Sequence, residues 1–244
     1  MGPKYHIGTS GWVYPHWRDV FYPPKLPQSK WLEFYTRHFH TVELNNSFYR
    51  LPSEKAFSNW RDTSPEGFIY AVKVSRFITH IKRLKEVEEP VETFLSRARH
   101  LKKKLGPLLY QLPPNMRRND ERLDAFLSLL PRGLRHVVEF RHESWLDEEV
   151  FDILRKYNIG FCVFDMPGLA CPLMATANFA YIRFHGASGL YWSCYSDEEL
   201  EDWAQKISAL GKDLDTVYIY FNNDAQGFAT RNAQTLTGKL AKEL

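Results

Sequence analysis

Cysteine is scarce in this sequence of 244 residues, and the three cysteines present lack the spacing of a metal or disulfide site. Cys162, Cys171 and Cys194 form no C-x-x-C pair, and their number is odd. These features argue against a disulfide framework and a zinc knuckle, and they predict reduced thiols in a cytoplasmic protein. We interpret all three as structural or incidental residues.

Phosphate-loop and nucleophile motifs are also missing. The sequence contains no G-x-G-x-x-G, no G-x-x-x-x-G-K-[ST] and no G-x-S-x-G. The first two absences argue against an open doubly wound sheet with a phosphate-binding turn. The third argues against a nucleophile elbow.

Long apolar runs are absent too, and neither sign of charge dominates. No stretch approaches the ~20 apolar residues that span a bilayer, and no basic segment precedes an apolar run near the N-terminus. We therefore expect a cytoplasmic protein with no membrane partner. The 32 basic and 29 acidic residues leave a formal charge of +3, which permits an anionic ligand without by itself indicating nucleic acid.

The sequence does contain a regular alternation of strand and helix signals. Short β-branched and aromatic runs predict eight strands, at 5–9, 41–45, 68–74, 108–112, from 137 onward, 160–165, 181–185 and 216–221. Apolar residues at helical spacing predict helices at about 29–38, 52–63, 90–105, 123–130, 145–157, 197–210 and 230–244. The segment 166–178 has no helical period, so the sixth crossover is expected to be irregular or very short.

This alternation predicts an α/β fold, a TIM-like (β/α)8 barrel with long loops on its C-terminal face. A chain of this length can bury one large core, so we expect a single domain over residues 1–244. No feature of the sequence predicts an oligomeric state.

The stretch from Val137 to Trp145 carries the most informative charge pattern. Its β-branched start predicts a buried strand, and Glu139 and Arg141 stand two residues apart, so that both side chains leave the same face. If that face points into a closed barrel, two ionised groups lie where Val or Leu is expected.

Most of the predicted strands end in a polar or ionisable residue. Barrels place their reactive groups at the C-terminal ends of the strands, so these residues define a candidate site. They are Ser10, Glu43, Asn45, Lys73, Gln111, Glu139, Arg141, Asp165, Arg183, His185, Asn222 and Asn223. Arg76 and His80, in the charge-rich connection after the third strand, extend this set over the barrel mouth.

From this set we predict an enzyme that acts on a small anionic metabolite, phosphorylated or carboxylated. Lys73, Arg141 and Arg183 would hold the anion, because guanidinium groups suit bidentate capture of phosphate or carboxylate. The reaction would be acid/base chemistry of the lyase, isomerase or hydrolase type.

The proton would be moved by carboxylates and a histidine. Glu139 or Asp165 would be the general base or acid, Glu43 a further catalytic carboxylate, and His185 the proton partner. The competing interpretation is structural: the same carboxylates and cations could form ion pairs that plug the barrel mouth.

No cofactor is predicted, although one group of residues could form a site for a divalent ion. Glu139, Asp165 and His185, on successive strands, could bind such an ion with Asn222 completing the set. This order is similar to that of metal-dependent sugar isomerase barrels. The neighbouring cations argue against it, because they would repel the metal and compete for its carboxylates.

A protein of another class is a further alternative, namely a nucleic-acid-binding or metal-dependent phosphodiesterase or DNA-repair-like protein. It would use the basic connection 76–85 and a stacking platform in the first loop. The platform would consist of Trp12, Tyr14, Trp17, Phe21 and Tyr22, which could equally be packing residues. A non-catalytic binding scaffold is the third possibility.

Several stretches, in one order along the chain, resemble the YecE-like family, known as domain of unknown function 72. They are residues 7–12 (IGTSGW), 42–52 (VELNNSFYRLP), 105–113 (LGPLLYQLP), 138–145 (VEFRHESW), 183–186 (RFHG) and 220–223 (YFNN), with Lys73, Arg76, His80 and Asp165 between them. The resemblance implies a TIM-like barrel over nearly the whole chain. It implies no settled activity, and any likeness to isomerase or DNA-repair endonuclease barrels is an analogy of fold alone.

Overall fold

A computed structural model describes residues 2–186 and 188–242, and it shows eight parallel strands arranged as a nearly closed barrel. The strands are β1 Lys4–Thr9, β2 Thr41–Leu44, β3 Ile69–Lys73, β4 Leu105–Gln111, β5 His136–Glu139, β6 Gly160–Asp165, β7 Phe179–Phe184 and β8 Thr216–Phe221. They are hydrogen-bonded in the order β1-β8-β7-β6-β5-β4-β3-β2. The predicted TIM-like (β/α)8 fold is confirmed.

The helices lie between the strands, mostly within the predicted ranges. They are α1 Trp31–Tyr35, α2 Asn46–Tyr49, α3 Glu54–Thr63, α4 Glu88–Ala98, α5 Asp120–Ser128, α6 Glu148–Lys156, α7 Asp197–Gly211 and α8 Phe228–Leu240. Residues 243–244 of the last predicted helix lie outside the described part of the chain. The sixth crossover, residues 166–178, contains no helix, as predicted. None of the helices in residues 2–186 and 188–242 has the length and apolar character needed to cross a membrane.

Side-chain caps explain where several helices begin. Asn119 accepts a hydrogen bond from the backbone at the start of α5, and Asp147 does the same for α6. Ser196 and Glu199 form a capping box at the start of α7, so each satisfies a backbone N–H near the helix end. These caps define where α5, α6 and α7 begin after the strands that precede them.

Strand alternation divides the core into two layers. The outer layer packs between the strands and the helices, and it contains most of the buried apolar residues. The inner layer fills the barrel below its mouth and consists of Ala71, Leu109, Val137, Cys162, Phe179, Tyr181, Tyr218 and Tyr220. Every residue of that inner layer is therefore a marker for the inward-facing side of its strand.

The seam between β1 and β2 closes the barrel. An isolated parallel bridge pairs Ser10 with Glu43, just beyond the end of β1. Gly8 lies lower in the seam, where a Cβ atom would overlap the carbonyl oxygen of Thr41. Only glycine therefore allows the first strand to approach the second at this point.

Candidate functional site

A buried guanidinium lies at the centre of the barrel mouth. Arg183, near the end of β7, donates from one terminal nitrogen to Glu43 Oε1 and from the other to Glu139 Oε2, each at 2.7 Å. The side chains of all three residues are at most 1% exposed. One arginine therefore pairs with carboxylates from both β2 and β5 and links these strands to β7.

Glu43 has a partner for each carboxylate oxygen. Ser10 Oγ donates to Oε1 at 2.7 Å, and the Tyr181 hydroxyl donates to Oε2 at 2.6 Å. Burial opposes ionisation, but Arg183 and these hydrogen bonds outweigh it and hold the pKa of Glu43 below its ordinary value. Protein groups therefore take the place of water around the Glu43 carboxylate and satisfy both of its oxygens.

Glu139 is paired a second time, by Arg141. The Arg141 guanidinium contacts Glu139 Oε1, and it also donates to His185 Nε2 at 2.9 Å and to Met166 Sδ at 3.0 Å. Despite burial, Arg141 and Arg183 hold the pKa of Glu139 well below its ordinary value. All three nitrogens of the Arg141 guanidinium are thus engaged by protein atoms.

His185 is a neutral member of this network. Burial, followed by the charge of Arg183, lowers its pKa to about 3. Its Nε2 accepts from Arg141, because a guanidinium can only donate, and the Asn222 side-chain amide lies 3.1 Å from its Nδ1. The predicted proton partner therefore serves at neutral pH as a hydrogen-bond acceptor that orients Arg141.

The opposite side of the mouth holds polar groups that lack partners. The register of β2 and β3 ends with Leu44 opposite Val72, so Asn45 and Lys73 follow next at the same edge of the sheet, and Gln111 ends β4. In the part of the chain that the structure describes, Asn45 Oδ1 is buried without a hydrogen bond, as is Nε of Arg183 at the same mouth. Within the described residues, neither the Lys73 amine nor the Gln111 side chain forms a hydrogen bond. The mouth thus combines an ion network whose carboxylates are all paired with an unsaturated sector, formed by Asn45, Lys73 and Gln111, whose side chains lack such partners in the described chain.

Lys73 has the most unusual environment in that sector. Its Nζ lies 4.1 Å from the centre of the Phe48 ring, and no carboxylate pairs with it in the described chain. Burial, followed by the charge of Arg183, lowers the pKa of Lys73 to about 8, and Glu139 and Glu43 only partly oppose the shift. Roughly a tenth of the amine is therefore neutral at pH 7.

His80 and Arg76 extend the sector outward along the connection after β3. His80 packs edge-on against Phe48 at 4.9 Å between ring centres, and its Nδ1 lies 2.9 Å from Thr79 Oγ1. Burial, followed by Lys73 and Arg76, lowers the pKa of His80 to about 4. Arg76 is exposed. His80 therefore borders this sector as an uncharged side chain, and Arg76 adds a cation at its exposed edge.

Charge at the mouth does not balance. Lys73, Arg141 and Arg183 are opposed by two carboxylates, Glu43 and Glu139, and both nearby histidines are neutral. The buried cluster therefore carries a formal charge of +1 whenever Lys73 is protonated. An anion that enters the unsaturated sector would complete the charge balance.

Asp165 does not join the predicted site. The register of β6 and β7 pairs Phe164 with the inward-facing Arg183, so Asp165 faces the helix layer. There it is hydrogen-bonded with Tyr195 and Trp203, and burial raises its pKa. The last inward-facing residue of β6 is Phe164, one residue before Asp165. The sequence pattern did not show this orientation.

Asn223 also lies outside the mouth. Its side-chain amide donates to the Ser193 carbonyl and to Asn232 Oδ1, each at 2.9 Å, and so ties the end of β8 to α8. Its neighbour Asn222 takes the inward position beside His185.

The alternative metal set is not assembled. Glu139 Oε1 and His185 Nε2 are 3.5 Å apart, but Asp165 faces the other side of the sheet. Across residues 2–186 and 188–242, no group of three or more His, Cys, Asp or Glu side chains has the arrangement of a metal site.

The aromatic residues of the first loop are largely packing residues. Trp17 and Tyr22 are at most 1% exposed, and Tyr22 stacks on Trp31 at 4.5 Å between ring centres. Trp12 is buried as well. The loop therefore offers no open stacking platform at these positions.

Two contributors to the site were not predicted from the sequence. Tyr181 stands two residues before Arg183, so strand alternation could have identified it as a partner of Glu43. Phe48 lies on the single-turn helix α2, which is too short to give a periodic signal. Its position against Lys73 depends on tertiary packing alone.

Comparison with known proteins places the whole chain in one group. A family model described as "Protein of unknown function DUF72" matches residues 6–244. The UPF0759 protein YunF of Bacillus subtilis (strain 168) is 28% identical over 95% of this chain and 93% of its own length. The UPF0759 protein YecE of Escherichia coli (strain K12) is 31% identical, over 57% of this chain and 49% of its own length.

Solved structures agree with this grouping. A DUF72 family protein from Thermotoga maritima MSB8 is 31% identical, with a TM-score of 0.88 over 98% of this chain and 99% of that protein. A DUF72 family protein from Enterococcus faecalis V583 has a TM-score of 0.84 at 21% identity, over 97% and 95% of the two chains. The second likeness concerns the fold alone.

Proposed function

The chain belongs to the DUF72 family, and from the chemistry of its barrel mouth we propose that it is an enzyme that acts on a small anionic metabolite. The metabolite would carry a phosphate or a carboxylate, and the reaction would be acid/base chemistry at the C-terminal ends of the strands. The observation that carries this proposal is the Lys73 amine, a partly buried cation without a carboxylate partner in the described chain.

The division of the mouth supports this assignment. Arg141 and the terminal nitrogens of Arg183 are engaged by Glu43, Glu139 and His185, so these arginines supply positive potential more than direct contacts. The group left to contact an anion is Lys73, with the unpartnered Nε of Arg183 as a second donor. Buried donors without partners destabilise a fold unless a ligand or water satisfies them.

The titration behaviour of the site supports Lys73 as the group that would transfer the proton. Glu43 and Glu139 have lowered pKa values, and His185 has a pKa of about 3, so none of them exchanges a proton readily near neutral pH. Lys73, with a pKa of about 8, is suited to act as a general base or acid in this range. Glu139 and His185 would position the cations around it.

Binding of inorganic phosphate tests the proposal. We expect phosphate to bind the native protein, measured by titration calorimetry at low ionic strength, and Lys73→Met to weaken binding by at least tenfold. The matched control is Lys206→Met, because Lys206 also lies over an aromatic ring, 5.2 Å from the centre of Trp203, but is exposed and paired with Asp202. Equal phosphate affinity in Lys73→Met and the native protein would contradict the proposal.

A further inference from the structure

We propose that Lys73 is a covalent centre, whose amine condenses with the carbonyl group of an anionic aldehyde or ketone to form an imine. This inference rests on the proposed function and deepens it by naming the substrate class, namely 2-oxo acids and phosphorylated carbonyl compounds. It concerns the same unsaturated sector of the mouth, with Phe48 beside Lys73.

The position of the amine is the first argument. Lys73 ends β3 with its side chain directed inward, on the same face as Ala71 of the inner barrel layer. It is partly buried, so a small carbonyl compound could reach it while bulk water is largely excluded. Strand ends hold a side chain more rigidly than loops do, as covalent chemistry requires.

The missing counter-ion is the second argument. A lysine that only balances structural charge lies against a carboxylate, as Lys206 does with Asp202 and Lys156 does with Asp124 at 2.7 Å. Lys73 instead faces an aromatic ring, and the nearby guanidinium groups of Arg183 and Arg141 disfavour its ammonium form. Burial beside other cations is the usual means of making a lysine nucleophilic, and the lowered pKa agrees with it.

The unpartnered groups of the barrel mouth are the third argument. Nε of Arg183 is a buried donor and Asn45 Oδ1 a buried acceptor, and neither has a partner among residues 2–186 and 188–242. Condensation needs both, since the carbonyl oxygen accepts a hydrogen bond as it gains charge and then donates one as a hydroxyl. A lysine used only to hold an anion would not require an acceptor at the mouth.

The step balances without an external oxidant or reductant. The neutral amine of Lys73 attacks the carbonyl carbon, a C–N bond forms, and the π electron pair moves to oxygen. A proton passes from nitrogen to that oxygen, giving a carbinolamine, and the C–O bond then breaks to release water and leave the C=N bond. Protonation of the imine gives an iminium ion, which withdraws electrons from the adjacent C–H or C–C bond.

Reductive trapping with pyridoxal 5′-phosphate tests the inference, because this probe carries an aldehyde and a phosphate. The native protein would be treated with a substoichiometric amount of probe and then with sodium borohydride, which delivers hydride to the imine carbon. Peptide mass analysis would then identify the modified lysine. We expect Lys73 to carry at least tenfold more adduct than any other lysine, with a yield that rises between pH 7 and pH 9.

Three comparisons make the result decisive. Pyridoxal, which lacks the phosphate, should modify Lys73 less selectively, and inorganic phosphate should protect Lys73 from the phosphorylated probe. Lys73→Met should lose the selective adduct, whereas Lys206→Met should keep it. Thermal unfolding of both variants would verify that each is folded.

Two patterns of failure separate this inference from the proposed function. If phosphate binds in a Lys73-dependent way but borohydride fixes no preferential adduct on Lys73, the imine is overturned and the anion site stands. If phosphate binding is also absent, both proposals fail. An adduct spread evenly over the exposed lysines would likewise overturn the imine.

Discussion

Lys73 shows, at the scale of a single residue, that a buried ammonium group of the mouth is held at the expense of stability. The folded protein lowers the pKa of this amine from 10.5 to about 8, with burial as the largest cause. Below pH 8 the folded chain therefore retains an ammonium ion that the unfolded chain would solvate better. The resulting loss of stability is complete below the folded pKa and is relieved as the pH rises from 8 towards 10.5.

We accordingly expect Lys73→Met to raise the free energy of unfolding at pH 7 by about 1–3 kcal/mol, with a gain that shrinks by pH 10. Methionine keeps the length of the side chain and its contact with Phe48 but removes the buried charge. Urea denaturation at the two pH values measures the effect. Lys206→Met is the control, and at its exposed site we expect a change within about 0.5 kcal/mol. A Lys73→Met variant that is less stable at pH 7, or whose gain is independent of pH, would contradict this account.

A site residue could be predicted wherever the sequence shows which residues of its strand face the barrel interior. The inward positions of Glu43, Lys73, Glu139 and Arg183 follow from alternation along strands whose phase the apolar residues define. The prediction failed for Asp165 because both faces of β6 are apolar, so the sequence does not show which face points inward. The pairing of β6 with β7 determines that orientation. The division between paired and unpaired polar groups depends on distances across the barrel, which no local pattern records.

The seam between β1 and β2 makes its own prediction at the scale of elements. Gly8→Ala would force a Cβ atom into the Thr41 carbonyl, and backbone atoms there cannot move without displacing a strand. We expect a loss of about 2 kcal/mol or more of unfolding free energy, measured by urea denaturation.

Gly238→Ala provides the matched control for the seam. Gly238 lies in α8 with nothing within 4 Å of the added Cβ, so alanine should stabilise the helix by up to about 1 kcal/mol. Opposite signs for the two substitutions would attribute the effect at Gly8 to close approach of the strands. A neutral Gly8→Ala variant would mean that the seam can open without loss.

The elements themselves were largely predictable, and the exceptions have a common cause. Apolar periodicity predicted α3 and the helices from α4 to α8. The helix α2 and the π-helical turn at Phe77–Ile81 were not predicted. Both are about one turn long, so their conformation depends on what they pack against rather than on a repeated pattern.

For the whole molecule, the ion network around Arg183 makes the largest prediction. Arg183→Met would leave Glu43 and Glu139 buried without their shared cation, and we expect a loss of about 3–5 kcal/mol of unfolding free energy. Arg155→Met is the control, because Arg155 also bridges two carboxylates, Glu148 and Asp152, but on the surface. It should change stability by less than about 1 kcal/mol. Similar losses in the two variants would argue that burial adds nothing to the network.

The barrel as a whole followed from the sequence because its evidence is distributed over eight repeated signals, and single errors do not alter their count. The proposed reaction does not follow in the same way, because it rests on one sector of the mouth. The environment of Lys73 there includes Phe48, whose position no repeated pattern predicts.

The link that Arg183 makes across the barrel also has a consequence for folding kinetics. Its partners stand 140 and 44 residues away in the chain, so we expect the three charges to meet only after much of the barrel has assembled. Contacts that form after the rate-limiting step leave the folding rate nearly unchanged and slow unfolding instead. The network would then slow unfolding and so determine the lifetime of the native barrel.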